Sequence, residues 1–248
     1  MKGILRLCLV LSVIFISSPA WAQNLVFYDD FQTSTLNPDK WFSSLETGGI
    51  LEASIGISSS APANRLVIQN RAYGKTDADE NRSRGTLSLQ FTNGAAVNSI
   101  QATVRVEDFE MVGCPNNTLR TEVFARLAGD FFNTGTPTPG DATNDVFARI
   151  GIEGNSADPS VLRVLASVHL CTNADCTTAT MIGSAANLGT VAPTNRFVTL
   201  TIWRQEQHKQ FGFRRDTRPT TFISYDVPEV ASDTNPPGRP VQGLSVLH

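Results

Sequence analysis

The sequence predicts an all-β chain, a two-sheet antiparallel sandwich. Period-two alternation of apolar and polar residues runs through most of its length, clearest from Leu119 to Leu170. Clusters of Gly, Asn, Pro and Asp separate the alternating runs, as around Asn133–Asn144. Long helix-period stretches are missing after the first twenty or so residues.

The strand-type runs follow in order: Leu25–Tyr28, Ile50–Ile57, Leu66–Gln69, Thr86–Phe91, Ser99–Val106 and Leu119–Leu127. Val146–Glu153, Leu162–Leu170, Phe197–Arg204, Gln210–Arg214 and Thr221–Val227 come next. Val161–Leu170 also admits a helical reading. However, Leu162, Val164, Ala166, Val168 and Leu170 alternate with Arg163, Ser167 and His169, and only Leu165 breaks the rhythm, so a strand fits better. Pro228–Pro240 reads as a surface loop, and Gly243–His248 as the start of a further strand. A chain stopping there is expected to lack part of its last strand.

The first 22 residues read as an export signal. Lys2 and Arg6 precede the short apolar run Leu7–Ile16, and Ala20-Trp21-Ala22 gives the small-x-small cleavage pattern. The apolar run is shorter than the roughly 20 residues of a membrane span, so no membrane span is expected. The expected domain organisation is a signal peptide over 1–22 and one β-sandwich domain over 23–248, secreted or periplasmic. Without the signal, 18 basic residues face 23 acidic ones, a net charge of −5 with no basic tract. That balance argues against nucleic acid as a partner.

Three cysteines remain beyond the signal. Cys171 and Cys176, with four residues between them, read as a disulfide closing a hairpin loop; Cys114 is left odd, either a free thiol or paired beyond His248. His169, His208 and His248 show no metal-ligand spacing.

Tyr28-Asp29-Asp30-Phe31, then Leu36-Asn37-Pro38-Asp39-Lys40-Trp41, resembles the opening of concanavalin-A-like jelly-roll domains. Leu200-Thr201-Ile202-Trp203-Arg204, Gln210-Phe211-Gly212-Phe213 and Phe222-Ile223-Ser224-Tyr225 resemble the late hairpin of that fold. The whole is similar to secreted bacterial proteins of this sandwich type with no assigned function. The resemblance implies a jelly-roll sandwich and a glycan-related role. It requires no cofactor and admits one structural calcium ion, for which Asp29 and Asp30 are the candidate ligands. On the residues alone, both aspartates equally read as caps of a turn.

Arg120-Thr121-Glu122-Val123 resembles part of a strand motif of alginate lyases of this fold, with Arg120 and Glu122 as the residues that an atypical enzyme site would use. The accompanying Gln-x-His is replaced by Ser167-Val168-His169, and the late Tyr-rich motif by Phe211-Gly212-Phe213-Arg214. No complete acid–base set for β-elimination results. Glu107-Asp108-Phe109-Glu110 splits its carboxylates across two strand faces and does not make a hydrolase pair.

Alternation instead places Arg105, Arg120, Glu122, Phe124, Arg126, Phe147, Arg149, Glu153, Arg163 and His169 on the non-core side of their strands. Guanidinium groups bind carboxylates in bidentate fashion and rings stack on sugar C–H faces, so these ten are the candidate ligand-binding residues, with a polysaccharide as partner. The other reading is a solvated face held by cross-strand charge pairs. Trp203 reads as core packing. Ligand identity and oligomeric state are not encoded in any of these patterns.

Overall fold

The computed structural model describes residues 28–31, 34–47, 51–58, 65–72, 83–89, 97–106, 121–155, 158–191, 196–230 and 243–247. The strands are β1 (Trp41–Thr47), β2 (Leu51–Ser58), β3 (Arg65–Ala72), β4 (Ser83–Leu89), β5 (Ser99–Val104), β6 (Thr121–Asn133) and β7 (Asp145–Asn155). They continue with β8 (Asp158–Cys171), β9 (Ala179–Val191), β10 (Val198–Gln205), β11 (Gln210–Arg215), β12 (Thr221–Ser224) and β13 (Gly243–Leu247). Among the described residues the one helical element is a 3-10 turn, Glu206–His208, in the β10–β11 hairpin. His208 is exposed there, as its place in a turn predicts.

All strand pairs are antiparallel. Seven strands form one sheet in the order β1-β4-β13-β6-β7-β8-β9, four form a second in the order β12-β11-β10-β5, and β2 pairs β3 in a separate ribbon. The expected all-β, two-sheet sandwich is what the chain adopts. Residues 243–247 do form the expected strand, and it lies in mid-sheet, paired with β4 on one side and β6 on the other.

The core lies between the two sheets. Val146, Ala148, Ile150 and Ile152 of β7 and Leu162, Val164, Ala166 and Val168 of β8 are almost fully buried. They belong to one cluster with Val198, Leu200 and Ile202 of β10 and Phe211 and Phe213 of β11. Each such side chain removed from water contributes about 1.5–3 kcal/mol. β8 is a strand throughout, as period two predicted, and Leu165 sits half-buried on the far face.

Two irregularities in β6 shape that far face. The register with β7 shifts between Val123 and Ala125, and again between Asp130 and Phe132. A bulge adds one residue to a strand and resets its alternation. The second bulge delivers both Phe131 and Phe132 to the core, where Phe132 stacks on Phe211.

The N-terminal motif is a compact structural cluster. Trp41 Nε1 donates to Asp29 Oδ2 at 2.6 Å, the Phe31 amide donates to Asp29 Oδ1 at 2.9 Å, and Lys40 Nζ lies 3.8 Å from Asp29. Tyr28 packs edge-on against Trp41 and Phe31 stacks on it, with Phe31 in a left-handed conformation at φ 58°. Burial raises the Asp29 carboxyl, but Trp41, the Phe31 amide and Lys40 outweigh it and leave the pKa below its ordinary value. Asp29 Oδ1 thus caps its own turn while Oδ2 ties the turn to the start of β1; Asp30 is exposed.

Two arginines pin the sandwich ends. Arg215, at the end of β11, donates through Nη1 to the Thr190 carbonyl at 2.8 Å and the Leu188 carbonyl at 3.3 Å, tying the small sheet to edge strand β9. Arg204 bonds Glu229, which also accepts from the Tyr225 hydroxyl, and its guanidinium lies 4.5 Å from the Phe132 ring centroid. Burial first, then Glu229, pushes the Tyr225 phenol up to about 12.

The predicted disulfide is present, Cys171 to Cys176 with Cα atoms 4.9 Å apart. It closes the β8–β9 loop, inside which Asn173 donates to Asp175 and Thr177 and accepts from the Thr178 amide. Cys114 lies outside the described residues.

Candidate functional site

The far face of the seven-stranded sheet, turned away from the small sheet, collects the polar side chains of β6, β7 and β8. Cross-strand register sets its rows. Asp130, Phe147, His169 and Met181 stand side by side across β6, β7, β8 and β9. The next row holds Ala128, Arg149 and Ser167, the next Arg126, Gly151, Leu165 and Asn187, and the last Glu153, Arg163 and Thr190. Alternation forces this grouping, because every second residue of β7 and β8 is committed to the core.

Arg149 is the centre of the face. Its Nε donates to Ser167 Oγ at 2.9 Å, and Ser167 Oγ lies 2.8 Å from His169 Nε2. The serine oxygen thus bridges the guanidinium and the imidazole: it accepts from Arg149, and it has both a hydrogen to donate to His169 Nε2 and a second lone pair to accept from it. Burial, then Arg149 and Arg126, lowers the His169 pKa to about 4, so the ring is neutral at physiological pH. It stacks on Phe147 with centroids 4.9 Å apart and planes 11° from parallel.

The charges are unevenly matched. Glu153 lies 3.8 Å from Arg126, both side chains being more than four-fifths buried. Burial raises the Glu153 pKa against the pull of Arg126 and Arg149. Arg149 is lowered by burial, with Glu153 pulling back. Among the described residues no carboxylate forms an ion pair with Arg149, and Nε is the nitrogen through which it hydrogen-bonds. Such a half-buried guanidinium, fixed through Nε and making no bond through its terminal nitrogens to the described residues, has the chemistry to pair with an oxyanion.

The ten candidate residues separate accordingly. Arg126, Phe147, Arg149, Glu153, Arg163 and His169 come together on this face, Arg163 as its exposed lower corner. Arg105 does not: it follows β5 in the four-stranded sheet, with its guanidinium 4.9 Å from the exposed Phe197 ring. Arg120 lies outside the described residues. Glu122 stands opposite Gly154 and Val123 opposite Glu153, so the bulge at Phe124 breaks the alternation that extrapolates from Arg126 to Phe124 and Glu122. Ser167 was legible as an outward residue two positions from His169, but only the structure shows it bridging His169 to Arg149.

Phe211 and Phe213, which stand where the lyase resemblance would want tyrosines, are fully buried in the core. Trp203 is buried, as the core-packing reading expects, but outside the inter-sheet cluster: it lies flat over Gly212 with Arg214 and Phe222 beside it. Among the described residues no group of three or more His, Cys, Asp or Glu side chains gathers at a spacing suited to a metal ion, and no helix is long and apolar enough to cross a membrane.

No protein-family model matches the chain, and no curated protein matches it. One similar solved structure comes from work on endo-acting O-glycanases that initiate mucin breakdown, expressed by prominent members of the human gut microbiota. It aligns with a TM-score of 0.41 and 14% identity over 90% of this chain and 78% of that chain. At that score the likeness decides neither fold family nor activity.

Proposed function

We propose that the chain is an exported, single-domain jelly-roll module that binds an acidic polysaccharide on the far face of its large sheet without cleaving it. The observation that carries this reading is Arg149: a half-buried cation, anchored by Ser167, with no ion-pair partner among the described residues. A uronate carboxylate supplies the missing charge in bidentate geometry. Half-buried Phe147, backed by the buried His169 ring, is the aromatic side chain beside it that a sugar ring would meet. Arg126 and Arg163 extend the cationic side of the face, offset by Glu153 and the buried Asp130.

Binding rather than catalysis is favoured by the state of the titratable groups. An imidazole with a pKa of about 4 is a weak base near neutrality, and its Nε2 is held by Ser167. The disulfide suits an oxidising compartment, in keeping with the export signal.

A glycan array at low and high salt, with neutral and acidic polysaccharides, tests the reading. Acidic glycans are expected to bind, more weakly at high salt, and Arg149→Gln to weaken capture at least tenfold. An array with no bound glycan, or release of unsaturated or reducing ends from a captured polymer, would overturn it.

A further inference from the structure

A second cationic site lies around the edge strand β9, outside the face just described. β9 carries Gly189 in a left-handed conformation at φ 92°. A side-chain carbon built at that glycine would lie 3.4 Å from Arg218 Nη1 and 3.7 Å from Arg215 Nη1, so two guanidinium groups converge on one point of the β9 backbone. Arg215 is 2% exposed and spends Nη1 on two β9 carbonyls. Arg218 and Arg196 are exposed, and both are close enough to Arg215 to lower its pKa, after burial itself.

One carboxylate answers these three arginines. Asp216 lies 3.8 Å from Arg215 Nε, but its Oδ1 already accepts from the Thr199 amide. Neither Arg196 nor Arg218 has a side-chain ion-pair partner among the described residues. A local excess of positive charge in a chain of net charge −3 is a steering and docking feature for an anion.

Its position relative to the first site is set by register. Arg163, at the lower corner of the polysaccharide face, stands opposite Glu153 on one side and Thr190 of β9 on the other. Thr190 is the residue after Gly189, and its carbonyl is the one that Arg215 holds at 2.8 Å. Arg149, Arg163 and the Arg215–Arg218–Arg196 group therefore follow one another across β7, β8 and β9 and round the sheet edge.

We propose that Arg196 and Arg218, organised around buried Arg215, form a second anion subsite that takes the carboxylate or sulfate groups of a polyanionic chain running on from the Arg149 face. The continuation rests on the proposed function; the subsite itself rests on the arginine cluster. A chain long enough to pass the edge of β9 engages both sites, and a short oligomer engages only the first. Linking two weak sites through one polymer multiplies affinity without new contacts at either.

The test compares trigalacturonate, long polygalacturonate and dextran sulfate on the full chain, using wild type, Arg149→Gln and the double variant Arg196→Ser/Arg218→Ser. Both substituted residues of the double variant are exposed, so the sandwich is expected to keep its wild-type urea midpoint. Its affinity for long polygalacturonate is expected to fall about tenfold, with trigalacturonate unchanged. Loss of dextran sulfate binding alone would assign the subsite to sulfate rather than carboxylate. Wild-type affinity of the double variant for both polymers would overturn the subsite and leave the first face standing. Wild-type binding of long polymers with no trigalacturonate binding, lost in the double variant, would overturn the first face and leave the subsite. A wild-type chain that binds none of the three would remove both.

Discussion

Lowering the pH from about 7.5 to about 5 should weaken the fold through one residue, His169. Its folded pKa is about 4 against 6.5 for the exposed ring. The unfolded chain therefore binds a proton through the window between those values while the native one does not. The stabilisation is full above pH 6.5, falls as pH drops through the window, and is wholly lost below 4. The full span is worth about 3 kcal/mol, and about 2 kcal/mol of it is lost by pH 5. The groups that face the ring decide whether this shows. Arg149 and Arg126 oppose its protonation, Phe147 stacks on it, Ser167 holds Nε2, and Asp130 lies on the same row from β6.

Glu153 acts in the opposite sense. Its raised pKa makes the native state take up a proton before the unfolded one as pH falls, which offsets part of the loss. The clean quantity is thus a difference between two proteins. Urea unfolding of wild type and His169→Gln, whose amide keeps a partner for Ser167 but does not titrate, should be followed at both pH values. With a urea dependence of about 2–3 kcal/mol per molar, the wild-type midpoint should fall by about 0.7–1 M more than that of the variant. Equal shifts in the two proteins would show that the ring is not held neutral by its surroundings and would refute the account of this face.

Gly212→Ala should cost about 2–3 kcal/mol, because its methyl carbon would fall 2.3 Å from Trp203 Cε2; calorimetry of the purified domain reads this, and a wild-type Tm would show that Trp203 does not lie on the strand. Replacing Cys171 and Cys176 together by serine should lower stability by only about 2 kcal/mol, the loop being short, and leave the far-UV circular dichroism unchanged. Trp41→Phe should cost about 1–3 kcal/mol by leaving Asp29 Oδ2 without the indole donor, and the Asp29 pKa, followed by carboxyl NMR, should rise. Arg149→Gln should reduce affinity for an acidic glycan by at least tenfold while slightly raising stability, since it removes a half-buried unpaired charge; a stability loss above 1 kcal/mol would mark the residue as structural.

The sequence was most legible where one face of a strand is buried and the other is not. β7 and β8 read correctly almost residue by residue, because Val146–Ile152 and Leu162–Val168 leave no choice of register. β9 was missed: Ala179–Val191 is an exposed edge strand, rich in Gly, Ala, Asn and Thr, whose pairing with β8 is broken twice near Gly183 and Gly189. No periodicity survives two such interruptions. β6 was read to Leu127 but runs to Asn133, since Gly129 and Asp130 resemble a turn until Phe147 and Ala148 are placed opposite them.

The candidate face was half legible for the same reason. Period two found Arg126, Arg149, Glu153, Arg163 and His169, but no local pattern announces a bulge at Phe124 or places Arg105 in the other sheet. Trp203 is buried as read, but a strand tryptophan says nothing about which side of the sheet it takes. Gly212, an unfavourable residue in the middle of a strand, was the signal that something large lies across it.

The place of β13 has a consequence for how the protein comes into being. β4 and β6 flank it, yet the residues that join them, Gly243–Leu247, are synthesised long after both. Until those residues are made, β4 and β6 present unpaired hydrogen-bonding margins to each other. Closure of the sheet is therefore expected late in folding, and until then the margins are open to a chaperone or to mispairing between nascent copies.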